Sequence, residues 1–123
     1  SSMTPTIIDG ADKVAVLGTP GGSRIISMVL LGTLAFIDDN ASAEAMVALP
    51  RYHHQYLPDV VEHEKDAIDD MDFAGLDDKG HRLKTVNRNY GNMQVITWDK
   101  RKQQLEAASD PRGIGAALVV QKP

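Results

Sequence analysis

Thr19-Pro20-Gly21-Gly22-Ser23 is the stretch where residue type and order come closest to chemistry. A glycine pair between a β-branched run and an apolar helical pattern leaves backbone N–H groups that no Cβ shields. Such groups can bind an anion or stabilise a developing oxyanion, where one good donor contributes about 2.7–4 kcal/mol of transition-state stabilisation. A tight turn is the plainer account of the same glycines. Ser1-Ser2-Met3-Thr4-Pro5-Thr6 places four hydroxyls in six residues. Paired serines at a strand edge can hydrogen-bond a substrate carboxylate; a polar terminus is the simpler explanation. Ser1 also offers the arrangement of an N-terminal nucleophile whose own α-amine acts as base, as any chain beginning with Ser does. One residue added ahead of Ser1 would abolish activity of that kind.

His53, His54 and His63, with Glu62 and Glu64, invite a metal reading. Neighbouring residues of a strand point to opposite faces, so His53 and His54 are poorly placed to chelate one ion, and His63 and Glu64 share the difficulty. A structural role is expected for them, with no metal and no cofactor. Asp110-Pro111-Arg112 fits an ion pair across a turn and a solvated turn equally well. Asp66 to Asp78 holds six aspartates, but not in the order of a calcium loop, which needs alternating acids, a central glycine and a closing glutamate. The run reads as a solvated helix face.

These residues need a scaffold of single-domain size, 123 residues or a piece of something larger. The net charge of −4 gives no reason to expect nucleic acid. At 42% hydrophobic and 24% charged, the composition is that of a globular chain. Aromatics make up only 5%, so Ile, Leu, Val, Ala and Met must build the core. The absence of cysteine removes disulfides, thiolate chemistry and zinc ribbons. The longest apolar run, Met28 to Ile37, is too short for the ~20 residues of a membrane span. No signal peptide opens the sequence, so an export address would have to lie elsewhere.

Pro5–Ile8 and Lys13–Gly18 read as strands joined by the turn Asp9-Gly10-Ala11-Asp12. From Ser23 to Asp38 apolar residues occupy most of the circumference of a helix, which predicts a buried one. Asn40 or Ser42 caps a second helix, Ala43–Leu49, stopped by Pro50. Strands follow at Arg51–Gln55 and Val60–Glu64, then an exposed amphipathic helix over Asp66–Lys79 closed by Gly80. His81–Val86 and Asn92–Trp98 are strands, and Asp99-Lys100-Arg101-Lys102 turns the chain into Gln103–Ala108. Gly115–Gln121 is a last candidate strand. The order points to an α/β layered domain with an antiparallel sheet.

Four segments together resemble a known family: Ser1-Ser2-Met3-Thr4-Pro5-Thr6-Ile7, Gly18-Thr19-Pro20-Gly21-Gly22-Ser23-Arg24-Ile25-Ile26, Pro50-Arg51-Tyr52-His53-His54-Gln55 and Ala108-Ser109-Asp110-Pro111-Arg112. In their order and approximate spacing they resemble the small subunit of gamma-glutamyltransferase, also called gamma-glutamyltranspeptidase or glutathione hydrolase. The resemblance runs over nearly all of residues 1–123. It implies an αββα, N-terminal-nucleophile hydrolase-like fold, here as a partial domain with an antiparallel sheet.

Members of that family cleave themselves into two subunits. The new amino-terminal Thr attacks a γ-glutamyl amide such as that of glutathione, and the acyl-enzyme passes its acyl group to water, an amino acid or a peptide. Carried over by the resemblance, Ser1 and Ser2 bind the α-carboxylate end of the substrate, and Gly21 and Gly22 supply oxyanion N–H groups. The family's nucleophile lies upstream of Ser-Ser-Met, and Thr4, Thr6 and Thr19 are internal. The chain is thus expected to be the C-terminal part of a small subunit and inactive alone. The missing partners would be the large subunit and the upstream part of the small subunit. Uncovered sheet edges and apolar surface imply a homo-oligomer. The family also implies a periplasmic or extracellular location. Two other functions remain open: an acylase of the same family acting on a cephalosporin-type amide, and a non-catalytic scaffold domain.

Overall fold

The computed structural model describes residues 2–87 and 90–122. It divides into two compact units, Ser1–Leu49 with Gly91–Pro123, and Pro50–Tyr90.

The first unit is built on a four-stranded antiparallel sheet in the order β1-β2-β6-β7. Its strands are β1 (Thr6–Asp9), β2 (Lys13–Gly18), β6 (Gln94–Asp99) and β7 (Gln104–Ser109). The β1–β2 turn forms where Asp-Gly predicted it, closed by Gly10 N–H donating to Lys13 O at 2.9 Å. Strand alternation sends Ala15, Leu17, Val95 and Thr97 to a buried face. The opposite face carries a cross-strand row, Ile7–Val16–Ile96–Ala107, in register on all four strands. Ile7, Val16 and Ile96 in that row are exposed.

Helices α1 (Ile25–Asp38) and α2 (Ala43–Ala48) cover the buried face. Gly32 lets α1 lie close to the sheet, since a Cβ there would stand 3.1 Å from Leu17 Cδ1 and 3.2 Å from Met93 Cε. Met28, Ala35, Met46, Val47 and Met93 complete the core. Ser42, rather than Asn40, caps α2, its hydroxyl accepting from Ala45 N at 3.1 Å. Two expectations are corrected. Helix α1 is not buried all round: Ile26 is 75% exposed, and Leu30, Leu34 and Ile37 also face outward. An all-apolar circumference records that both sides are fit to be covered, and one sheet covers only one. Gly115–Gln121 forms no strand, because none of the described strands pairs with it.

The second unit contains β3 (Tyr52–His53), β4 (Val61–His63), α3 (Asp70–Asp78) and β5 (Leu83–Thr85). Strands β3 and β4 are antiparallel, but β4 and β5 are parallel, so this sheet is mixed where an antiparallel one was expected. The interposed α3 is a crossover long enough to return the chain in the same direction. Helix α3 begins later than predicted, at the Asp69 cap, whose carboxylate accepts from Asp72 N at 2.7 Å. It buries no residue, as a solvated acidic face requires. Gly80 follows it with φ of 87°, and His81 N–H donates to Leu76 O at 3.1 Å, the left-handed helix stop expected of that glycine. The buried Arg51 organises the unit: its backbone N–H donates to Glu64 Oε1 at 2.8 Å and its Nη1 donates to Tyr90 O. Tyr90 OH donates to Glu62 Oε2 at 2.6 Å.

Candidate functional site

Strand β2 ends at Gly18, and Gly18 and the following Thr19 are both buried. A Cβ on Gly18 would stand 3.2 Å from Met3 O, a tight contact that glycine avoids where the Ser2–Met3 segment passes. Thr19, fully buried, then fastens three segments together. Its N–H donates to Met3 O at 3.0 Å, its hydroxyl donates to Pro20 O at 2.9 Å, and the same oxygen accepts from Asn92 N at 3.0 Å.

Beyond Thr19 the chain turns through Gly21, φ 153°, and Gly22, φ 62°, both backbone states that favour glycine. One 3-10 turn, Gly22–Arg24, leads into α1. Among the described residues neither Gly21 N–H nor Gly22 N–H has a hydrogen-bond acceptor, and Gly22 is exposed. Two open donors at a helix entry are suited to an anionic oxygen. The glycines differ in their surroundings: a Cβ on Gly22 would meet nothing within 4 Å, whereas one on Gly21 would run into the Met28 methyl.

The loop that meets the corner is held by an ion pair whose carboxylate is buried. Asp110 Oδ2 accepts from Met93 N at 2.8 Å, and Asp110 N–H donates to Met93 O at 2.9 Å, fixing the loop that presents Asn92 N to Thr19. Arg112 Nη1 donates to Asp110 Oδ1 at 3.1 Å and to Val47 O at 2.9 Å, while Nη2 donates to Leu49 O at 3.0 Å. Of the two readings of Asp110-Pro111-Arg112, the structure selects the ion pair, with Asp110 buried and Arg112 half-buried. Its guanidinium also satisfies carbonyls at the end of α2 that the helix leaves open.

Ser2 is exposed and adjoins Met3; Ser1 lies outside the described residues. A cavity of about 400 Å³ opens beside this segment, with Met3, Val16, Gly18, Ile96 and Leu118 in its wall. His53, His54 and His63 are not brought together. His53 is buried with Nε2 2.8 Å from Gln55 Oε1; His54, just past β3 and exposed, has Nε2 2.8 Å from Asp59 Oδ1. His63 Nδ1 is 3.0 Å from Glu64 O. Among the described residues no group of three or more His, Asp or Glu is placed to hold a metal ion. Beside His54, hydrogen bonding and the imidazole's charge draw the exposed Asp59 carboxyl below the usual range.

The gamma-glutamyltranspeptidase family model matches residues 1–120. The chain belongs to that family. Among curated relatives, the gamma-glutamyltranspeptidase-family segment is 40% identical to the glutathione hydrolase proenzyme of Pseudomonas aeruginosa, over 98% of this chain and 22% of the relative. It is 37% identical to the Escherichia coli glutathione hydrolase proenzyme, over 93% of this chain and 19% of the relative. It thus spans about a fifth of the length of the relatives it matches. Among solved structures, the gamma-glutamyltranspeptidase of Pseudomonas nitroreducens complexed with L-DON superposes with a TM-score of 0.81 at 38% identity, over 98% of this chain and 63% of that one. The mixed α/β architecture with its antiparallel sheet is therefore that of gamma-glutamyltranspeptidases.

The order of residues pointed to the corner but not to what holds it. Thr19 stands beside the glycines in sequence and could have been singled out as a polar residue about to be buried. Nothing local marks Met28, Gly91 or Asn92, whose contacts join distant segments.

Proposed function

We propose that this chain is the C-terminal part of the small subunit of an enzyme that cleaves γ-glutamyl amides such as glutathione. Alignment to about 63% of a solved chain but only 22% of a proenzyme supports reading it as part of one subunit of a larger protein. The whole protein would then be an αββα hydrolase, with the large subunit and the rest of the small subunit as partners and a periplasmic or extracellular location. An upstream threonine, freed by self-cleavage, adds its hydroxyl oxygen to the γ-carbonyl while its α-amine takes the proton. Gly21 and Gly22 N–H stabilise the resulting oxyanion, and Ser1 and Ser2 hold the α-carboxylate end of the substrate. Collapse expels the amine, which recovers the proton. Water or an acceptor amine then takes the acyl group from the threonine ester.

One observation carries this reading: two acceptor-free amides stand at a glycine corner stitched to the Ser2–Met3 segment by the 3.0 Å bond from Thr19 N to Met3 O. The test uses the chain completed with the upstream segments its relatives carry, assayed with γ-glutamyl-p-nitroanilide. Gly22→Ala keeps the N–H and meets no neighbour. It should cost only the left-handed backbone penalty of about 1–2 kcal/mol. Gly22→Pro removes the donor and, because proline cannot adopt the φ of 62°, also turns the corner's backbone, so it should lower kcat by at least about 10²–10³. Equal activity in the two variants would remove the oxyanion role. Turnover of a cephalosporin-type amide in place of the γ-glutamyl one would move the enzyme to the acylases. The chain alone should release no p-nitroaniline.

A further inference from the structure

Met28 reaches the glycine corner from the first turn of α1, with only 1% of its surface exposed. Its methyl occupies the place a Gly21 side chain would need. On its other side, a Cβ on Gly91 would stand 2.6 Å from Met28 Sδ and 2.6 Å from Thr19 Oγ1. The thioether is therefore clasped between two glycine backbones, one in the corner and one in the loop fixed by Asp110. Glycine places few restraints on its own dihedrals, so the aim of the Gly21 and Gly22 amides must be set from outside. Locally, the Arg24 N–H to Gly21 O bond is long, at 3.3 Å. The Thr19 hydroxyl holds the preceding carbonyl but not Gly21 itself.

We propose that Met28, braced on Gly91, is a positioning residue that fixes the direction of the oxyanion amides. This rests on the reading of the corner given above. Methionine suits the task because an unbranched thioether can fill a narrow gap between backbones, and the bare face of Gly91 keeps it from relaxing backwards. Donors displaced by about 1 Å can cost a rate factor near 10², so a small shift of the corner would register in turnover.

The experiment uses the completed enzyme and γ-glutamyl-p-nitroanilide, with folding checked by thermal melting. Met28→Ala should lower kcat by about tenfold or more and change KM by less than about threefold, because ground-state binding lies elsewhere and the oxyanion forms only in the transition state. Gly91→Ala, which pushes on the thioether, should lower kcat as well. Gly91→Ala also presses on Thr19 Oγ1 and strains a φ of 73°, so the double variant should lose less than the product of the two single losses rather than match Met28→Ala, because the changes share the thioether contact. Wild-type kcat in folded Met28→Ala, a matching rise in KM, or losses that multiply would each overturn the proposal. If Met28→Ala does not fold, Met28→Leu replaces it with similar volume and shorter reach. A fall in kcat at steady KM then supports the role, and unchanged kcat overturns it. Gly22→Pro separates the two ideas: if it retains full kcat, the corner reading and this inference fall together. If it is inactive while the Met28 variants are normal, only this inference falls.

Discussion

Removing the Asp110 carboxylate would leave the Met93 amide without its acceptor and the Arg112 guanidinium beside an empty site. Asp110 is buried and Arg112 half-buried; breaking a fully buried pair from one side costs about 3–5 kcal/mol, which is the ceiling here. Asp110→Ala should destabilise the chain by about 2–4 kcal/mol in urea denaturation, since the Arg112 left behind is partly solvated. A loss under 1 kcal/mol would show that the loop at 91–93 is held by other means. Sequence placed the acid and base two residues apart, but their burial depends on Val47 O, Leu49 O and Met93 N, none of them visible from the tripeptide. The glycine pair was more legible, because glycine's backbone freedom is a property of the residue itself. Which glycine is confined by a neighbour and which is open came only with the packing of Met28.

Among the elements, the turn between β6 and β7 offers a pH test. Asp99 Oδ1 accepts from Lys102 N at 2.9 Å and Arg101 N at 3.0 Å, and these bonds, Lys102's first, hold its carboxyl below the usual carboxylate range. A lowered folded pKa means stability that is present above the unfolded value, about 3.9, and lost as pH falls through the folded value. The difference in melting temperature between wild type and Asp99→Ala should therefore be full at neutral pH and shrink in acid. A gap that stays constant or widens in acid contradicts the assignment.

The hairpins and α1 were legible because turn residues and periodicity act over a few positions. The elements of the second unit came out shorter than predicted: β3 keeps two of the five residues expected in Arg51–Gln55. Strand length there is set by pairing partners, which periodicity does not specify. The same limit explains why the apolar segment Gly115–Gln121 looks like a strand and is not one.

On the scale of the whole molecule, apolar surface outruns what the described elements cover. Ile7, Val16 and Ile96 line one face of the large sheet, and Ile26, Leu30, Leu34 and Ile37 the outer side of α1. Patches of this kind mark association surfaces. The chain alone is expected to self-associate, and light scattering over a concentration series should show a dimer or larger species. A monomer at high concentration would count against this. Completing the chain upstream should reduce the association, if the relatives' additional length covers these faces.

The large sheet also differs between its two ends. Where β2 begins, Lys100 Nζ meets Asp9 Oδ1 at 2.8 Å and Arg101 Nε meets Asp12 Oδ1 at 2.8 Å, all at the surface. Where β2 finishes, some 20 Å away at the usual rise per residue, the contacts are a buried hydroxyl, a thioether and backbone amides. Dissolved ions weaken exposed charge pairs and hardly reach groups of the second kind. Brine would thus loosen the hairpin tips while sparing the Thr19 and Met28 contacts that hold the glycine corner in place.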